Sequence, residues 1–118
     1  MKLRLWATLA KLNAALGAPR VLDGTGNAVL MYHSVGNSFG YPDGAVYSAE
    51  RFRDDLRYLS DNCELVDLPA VLDGGCSEKL VALTFDDGFR DFYTTALPIL
   101  REFDAPCTVF LVSYAVFC

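Results

Sequence analysis

Histidine is almost missing from this chain: His33 is the single one among 118 residues. A catalytic zinc takes at least three protein ligands and a water, so one imidazole cannot furnish a histidine-rich centre. The four cysteines, Cys63, Cys76, Cys107 and Cys118, never fall in C-x-x-C spacing. That removes the zinc-finger and thioredoxin-like readings. Reduced thiols are the expectation, with a Cys63–Cys76 disulfide as the alternative in an exported protein. Positive charge is short as well. Ten Lys and Arg stand against fifteen Asp and Glu, for a net charge of −5. This balance excludes nucleic acid and anionic membrane surfaces as main partners. No apolar run is long enough to span a membrane. No internal repeat and no low-complexity segment is present.

What is abundant is apolar character, at 53% of the residues. The length suits one small domain and is too short for two. A small domain has little interior relative to its surface, so the chain either packs densely or is part of something larger. The N-terminus, MKLRLWATLAKLNAALGAPR, begins like a signal peptide, but Lys11 and Asn13 interrupt its apolar run. Leu5, Leu9, Leu12 and Leu16 instead recur at helical spacing, with Gly17 and Pro19 as stop signals. Residues 1–27 therefore read as an amphipathic helix and a linker, and residues 28–118 as the domain proper. Without a convincing signal peptide, a cytoplasmic or peripheral membrane location is expected over secretion.

From residue 28 the pattern alternates. Residues 28–33 (AVLMYH) read as a buried strand, and GNSFGYPDG at 36–44 as a loop. Ser48 is the expected N-cap of a helix that buries Phe52, Leu56 and Leu59 and ends near Asn62. Residues 64–67 suit a short strand. Pro69 opens a short helix stopped by Gly74 and Gly75. Residues 80–85 (LVALTF) read as a strand, Phe89 to Phe103 as a helix kinked at Pro98, and 107–112 as a last strand. This order predicts an α/β protein with a mainly parallel sheet, apolar on both faces under covering helices. An α/β barrel needs roughly 200 residues or more, so the topology suggests a partial barrel. Its last strand would carry an open edge, a surface for self-association.

Asp86 and Asp87 follow the strand at 80–85 directly. Adjacent carboxylates repel and are costly to desolvate unpaired. Two readings are open. One places the pair at the C-terminal end of a parallel strand, where functional groups collect, with one carboxylate ligating a divalent cation and the other accepting a proton from water. The other makes one of them the N-cap of the helix near Phe89. Asp91, in that helix's first turn, is explained by the helix dipole alone. Tyr41, within the 36–44 loop, and Tyr47, just after it, carry rings that can stack on a sugar.

The wider string is more specific. "LTFDDG", then "ALPIL" and "APCTVFLV", preceded by "VLMYHSVG" and "SAERFRDDLRYL", resembles the polysaccharide deacetylases, the NodB-type carbohydrate esterases. The resemblance runs from about Val29 to Val112. It implies a distorted (β/α) barrel, of which this chain holds the first half. It implies hydrolysis of acetyl groups on N-acetylated sugars of a polysaccharide or glycan, with a divalent metal, most often zinc. The family's first motif puts the general base on Asp86 and a metal ligand on Asp87. The family's H-[ST]-x-x-H motif is absent here. His33, at the end of the first strand, is a candidate pocket residue. Three expectations follow: a truncated deacetylase inactive by itself, a non-catalytic half-barrel that binds sugar or dimerises, and a metal-dependent hydrolase completed by a partner chain.

Overall fold

The computed structural model describes residues 26–36, 46–74 and 79–116. The N-terminal amphipathic helix, most of the 36–44 loop, Tyr41, Gly75, Cys76 and Cys118 lie outside these residues. Cys63 and Cys107 are free thiols. No helix among the described residues is long and apolar enough to cross a membrane.

One strand organises the sheet. β1 (Ala28–Tyr32), β4 (Glu64–Val66) and β6 (Cys107–Leu111) all pair in parallel with β5 (Leu80–Asp87). β1 lies along Val81–Phe85 on one edge. The other edge is shared in tandem: β4 takes Leu80–Ala82 and β6 takes Leu83–Asp87. Asn27 Oδ1 accepts the Leu80 N–H at 3.2 Å, which pins the entry of β1 to the start of β5. β2 (Ser34–Val35) and β3 (Val46–Tyr47) form a separate parallel pair that the sequence pattern did not announce. Two-residue strands are too short to leave a periodic signal.

α1 (Ala49–Asn62) begins as expected: Ser48 Oγ accepts the Arg51 N–H at 3.2 Å. Its Phe52, Leu56 and Leu59 are buried against Val81, Leu83 and Phe85. Asp67, placed by pattern in a strand, is instead the N-cap of α2 (Leu68–Asp73), with Pro69 in the first turn. The expected Pro98 kink takes a particular form. Pro98 has no N–H for the Thr94 carbonyl, and its ring crowds that position in an α-helix. The preceding turn, Phe92–Ala96, widens to π geometry, and the Leu97 N–H donates to the Phe92 carbonyl five residues back. α3 (Leu97–Glu102) then buries Ile99 and Leu100. α4 (Ser113–Val116) follows β6. On the surface, Arg53 grips Glu102 with two hydrogen bonds of 2.9 and 3.1 Å, joining α1 to α3.

Among the described residues the two faces of the sheet are covered unequally. Ala28, Leu30 and Tyr32 pack on the α1–α3 side, whereas Val29 and Met31 alternate with them and are exposed among the described residues. Helices cover one face, and α2 covers only the lower part of the other, where Val71, Leu80 and Ala82 cluster. On the covered face, Phe85 sits among rings. It stacks on Tyr32 at 5.4 Å and meets Phe52 and Phe92 edge-on at 5.8 and 4.9 Å. Tyr47 points to this same cluster, and its hydroxyl donates to Asp55. The Tyr47 ring is thereby anchored in the structure at both its edge and its hydroxyl. Burial pushes the Asp55 carboxyl above its ordinary value, against the opposing Tyr47 hydrogen bond and Arg51 charge.

Two outcomes are expected. Phe85→Ala should cost about 3–5 kcal/mol in denaturant unfolding, because both a large apolar area and ring contacts are lost. Asp55 holds its proton more tightly folded than unfolded, so its contribution is fully present below its ordinary value and is lost as pH rises through the raised one. Melting curves across the acid range should show that fall, and Asp55→Asn should remove it.

Candidate active site

The exposed face of the sheet carries the candidate site, because parallel partners in register point to the same side. Along β5 this side reads Leu80, Ala82, Thr84 and Asp86, from apolar floor to open top. Leu80 and Ala82 are sealed by α2, and Thr84 is buried. Asp86 stands at the top, about one third exposed. Its partner on β6 is Phe110, half exposed and on the same side. On the other flank, the alternation of Val29 and Met31 continues to His33, just past β1. His33 Nε2 lies 3.9 Å from Asp86 Oδ2, within ion-pair range when the imidazole is protonated. The top row is thus His33, Asp86 and Phe110, from three parallel strands. Phe110 was not singled out from the sequence. Only the β5–β6 register brings it beside Asp86.

β5 runs two residues further than the pattern suggested, through Asp86 and Asp87, because both pair with β6. This bears on the capping reading. The helical turn begins at Arg90, so the residue before it is Phe89 and not either aspartate. Asp87 also has a φ of 71°, in the left-handed region, whereas N-caps adopt extended backbone. Strict alternation would send Asp87 to the helix-covered side. The left-handed turn, continued by Gly88 at φ 68°, breaks that alternation. A β-carbon on Gly88 would come within 2.4 Å of Leu111 Cδ2, the end of an exposed side chain that can shift, so the left-handed φ is what favours glycine here. A left-handed non-glycine residue stores roughly 1–2 kcal/mol of strain, which gathers at functional sites.

A second carboxylate anchors the corner from behind. The Ser34 hydroxyl donates to Asp91 Oδ2, and Ser34 is fully buried. Asp91 Oδ1 is buried with no hydrogen-bond partner among the described residues. The dipole explanation for Asp91 is therefore insufficient. Beside it, β2 crosses the π turn closely: a β-carbon on Gly36 would lie 3.2 Å from Thr95 Cγ2. Among the described residues, no three His, Cys, Asp or Glu side chains gather into a metal-binding group.

Comparison with known proteins places this arrangement. A family model described as polysaccharide deacetylase matches residues 73–116, which include β5, the two aspartates and β6. The polysaccharide deacetylase-family protein YxkH of Bacillus subtilis is 32% identical over 90 residues, covering 75% of this chain and 32% of that protein. Over these residues the chain is similar to the polysaccharide deacetylases. A short stretch of 29 residues is 59% identical to the poly-beta-1,6-N-acetyl-D-glucosamine N-deacetylase of Escherichia coli, covering 25% of this chain and 4% of that protein. The structure of IcaB from Ammonifex degensii superposes with a TM-score of 0.65 at 31% identity, over 75% of this chain and 39% of that one. The chain thus spans about a third of the length of the deacetylase relatives it matches most broadly. The parallel α/β sheet is the part of the deacetylase fold that the two share.

The strain at Asp87 is open to measurement. Asp87→Gly frees the left-handed backbone and Asp87→Ala does not. The glycine variant should be more stable than the alanine variant by about 1 kcal/mol in urea unfolding. Equal stabilities would remove the claim of strain.

Proposed function

We propose that this chain contributes the catalytic aspartate corner of a hydrolase that removes acetyl groups from N-acetylated sugars of a polysaccharide or glycan. One observation carries the reading: Asp86 stands at the open end of β5 with His33 3.9 Å away. Amide hydrolysis needs a base for the attacking water and a proton for the departing nitrogen. Asp86 is assigned as the base. It takes the proton as the water oxygen bonds to the acetyl carbon. The carbon–nitrogen bond then breaks, acetate leaves, and the nitrogen remains on the sugar as an amine once protonated. His33, within 3.9 Å of Asp86, is assigned as the donor of that proton. Phe110 gives an apolar wall on the opposite flank of Asp86, suited to a sugar face or an acetyl methyl. Similarity to the polysaccharide deacetylases and the N-acetylglucosamine substrate in the Escherichia coli relative's name support the substrate class.

A divalent metal, zinc by resemblance, belongs to this reading. The described donor set does not by itself fit a catalytic zinc, which takes three protein ligands and a water. Asp87 is assigned as one ligand, with the others lying outside the described residues. Such an ion, when bound, polarises a carbonyl and lowers the pKa of water. A non-catalytic sugar-binding or dimerising module is the competing reading.

Acetate release from N-acetylglucosamine oligomers, with a divalent metal supplied and then with a chelator, separates the two. The hydrolase reading expects no release from this chain alone and metal-dependent release once a further segment or a partner chain supplies the remaining ligands, reduced about 10²–10⁴-fold in Asp86→Asn with metal binding retained. Sugar binding with no release, indifferent to Asp86→Asn, would leave the module.

A further inference from the structure

We propose that Ser34 and Asp91 are positioning residues: their hydrogen bond is the strut that holds His33 within reach of Asp86. The inference deepens the reading above, since the strut matters to function only if the corner does. Its geometry can be tested without it.

His33 and Asp86 come from different strands, and His33 lies beyond the last residue of β1 that pairs with β5. Past that point the chain belongs to the β2–β3 pair, which shares no backbone ladder with the main sheet. Contacts outside the ladder therefore share in fixing where His33 stands. Ser34 is its immediate neighbour, is fully buried, and donates its hydroxyl to Asp91. Asp91 in turn lies three residues after Gly88, on the turn that leaves the aspartate pair. The bond therefore runs from the residue after His33 to the segment that follows Asp86 and Asp87. It spans the two sides of the opening at their base. The close passage of Gly36 over Thr95 seats the same strand on the same helical turn. Asp91 is not supported equally on both oxygens: Oδ1 is buried without a partner among the described residues. The Ser34 hydroxyl is thus the contact that gives this carboxylate its direction. This part-buried hydroxyl–carboxylate bond is stiffer than a surface contact, because breaking it leaves the buried Ser34 hydroxyl unpaired.

His33 being the single histidine of the chain makes the test direct, because its ring gives one unambiguous set of NMR signals. The readout is the change in His33 ring chemical shift caused by Asp86→Asn, at fixed pH, without metal or substrate. In the otherwise unmodified chain this change reports the approach of the two side chains. In a Ser34→Ala or Asp91→Ala background it should fall by at least half. In Asp91→Asn, which keeps an oxygen acceptor but loses the charge, it should be retained. That contrast separates a positional role from a long-range effect of the Asp91 charge. Strict additivity, with the Asp86→Asn effect the same in every background, overturns the proposal. So does its loss in Asp91→Asn. Should the alanine variants fail to fold, the unmodified chain decides: the Ser34 hydroxyl proton should exchange slowly and be visible, and a fast-exchanging one overturns the strut. None of these readings depends on acetate release, so a chain without hydrolase activity can still carry the strut, and an active one can lack it.

Discussion

The parallel pairing of β5 along both of its edges fixes where the core lies and where the carboxylates stand. Val81, Leu83 and Phe85 are buried against α1 and α3, while Ala82, Thr84 and Asp86 face the other way. The same ladder that seats Phe85 among Tyr32, Phe52 and Phe92 therefore sets Asp86 beside Phe110. Packing energy on one face is converted into placement on the other. This suits a site built from rigid strands with only short turns beyond them.

Much of this was legible in the sequence because the responsible forces are local. A serine oxygen capping free N–H groups needs only the right spacing, and Ser48 has it. The run LVALTF followed by two aspartates and a glycine marks a buried strand ending in polar groups, and the resemblance to deacetylases rests on that string. Other features escaped because they depend on partners distant in the chain. Nothing within β5 tells that Asp86 and Asp87 still pair, since the pairing is made by Phe110 and Leu111. The π turn is a compromise between Pro98 and the need of the helix to reach the core, and periodicity alone reads it as an α-helix. Ser34 and Asp91 are unremarkable as letters and acquire a role only through their contact across 57 positions.

Family likeness and geometry speak to different halves of the functional question. The comparisons speak to fold and kinship, and the sheet register shows which side chains of this chain share the end of β5. The chain covers 32% of YxkH and 39% of IcaB, so its own contribution is best described as the aspartate corner and its flanks. Within that corner the two aspartates differ in backbone conformation. Asp86 obeys the alternation of the strand and faces the opening. Asp87 leaves the alternation through its left-handed backbone, so that neighbours in sequence need not oppose each other in space.

The two-residue period of β5 also protects the site against error. A slip of one residue in its pairing would exchange the two faces of the strand. Phe85 would then project into the opening, and Asp86 would enter a cluster of aromatic rings with nothing to neutralise it. The cost of burying that carboxylate makes the misregistered sheet self-eliminating. The aromatic core thereby acts as a proofreader: a chain whose core has closed correctly has its aspartates in place.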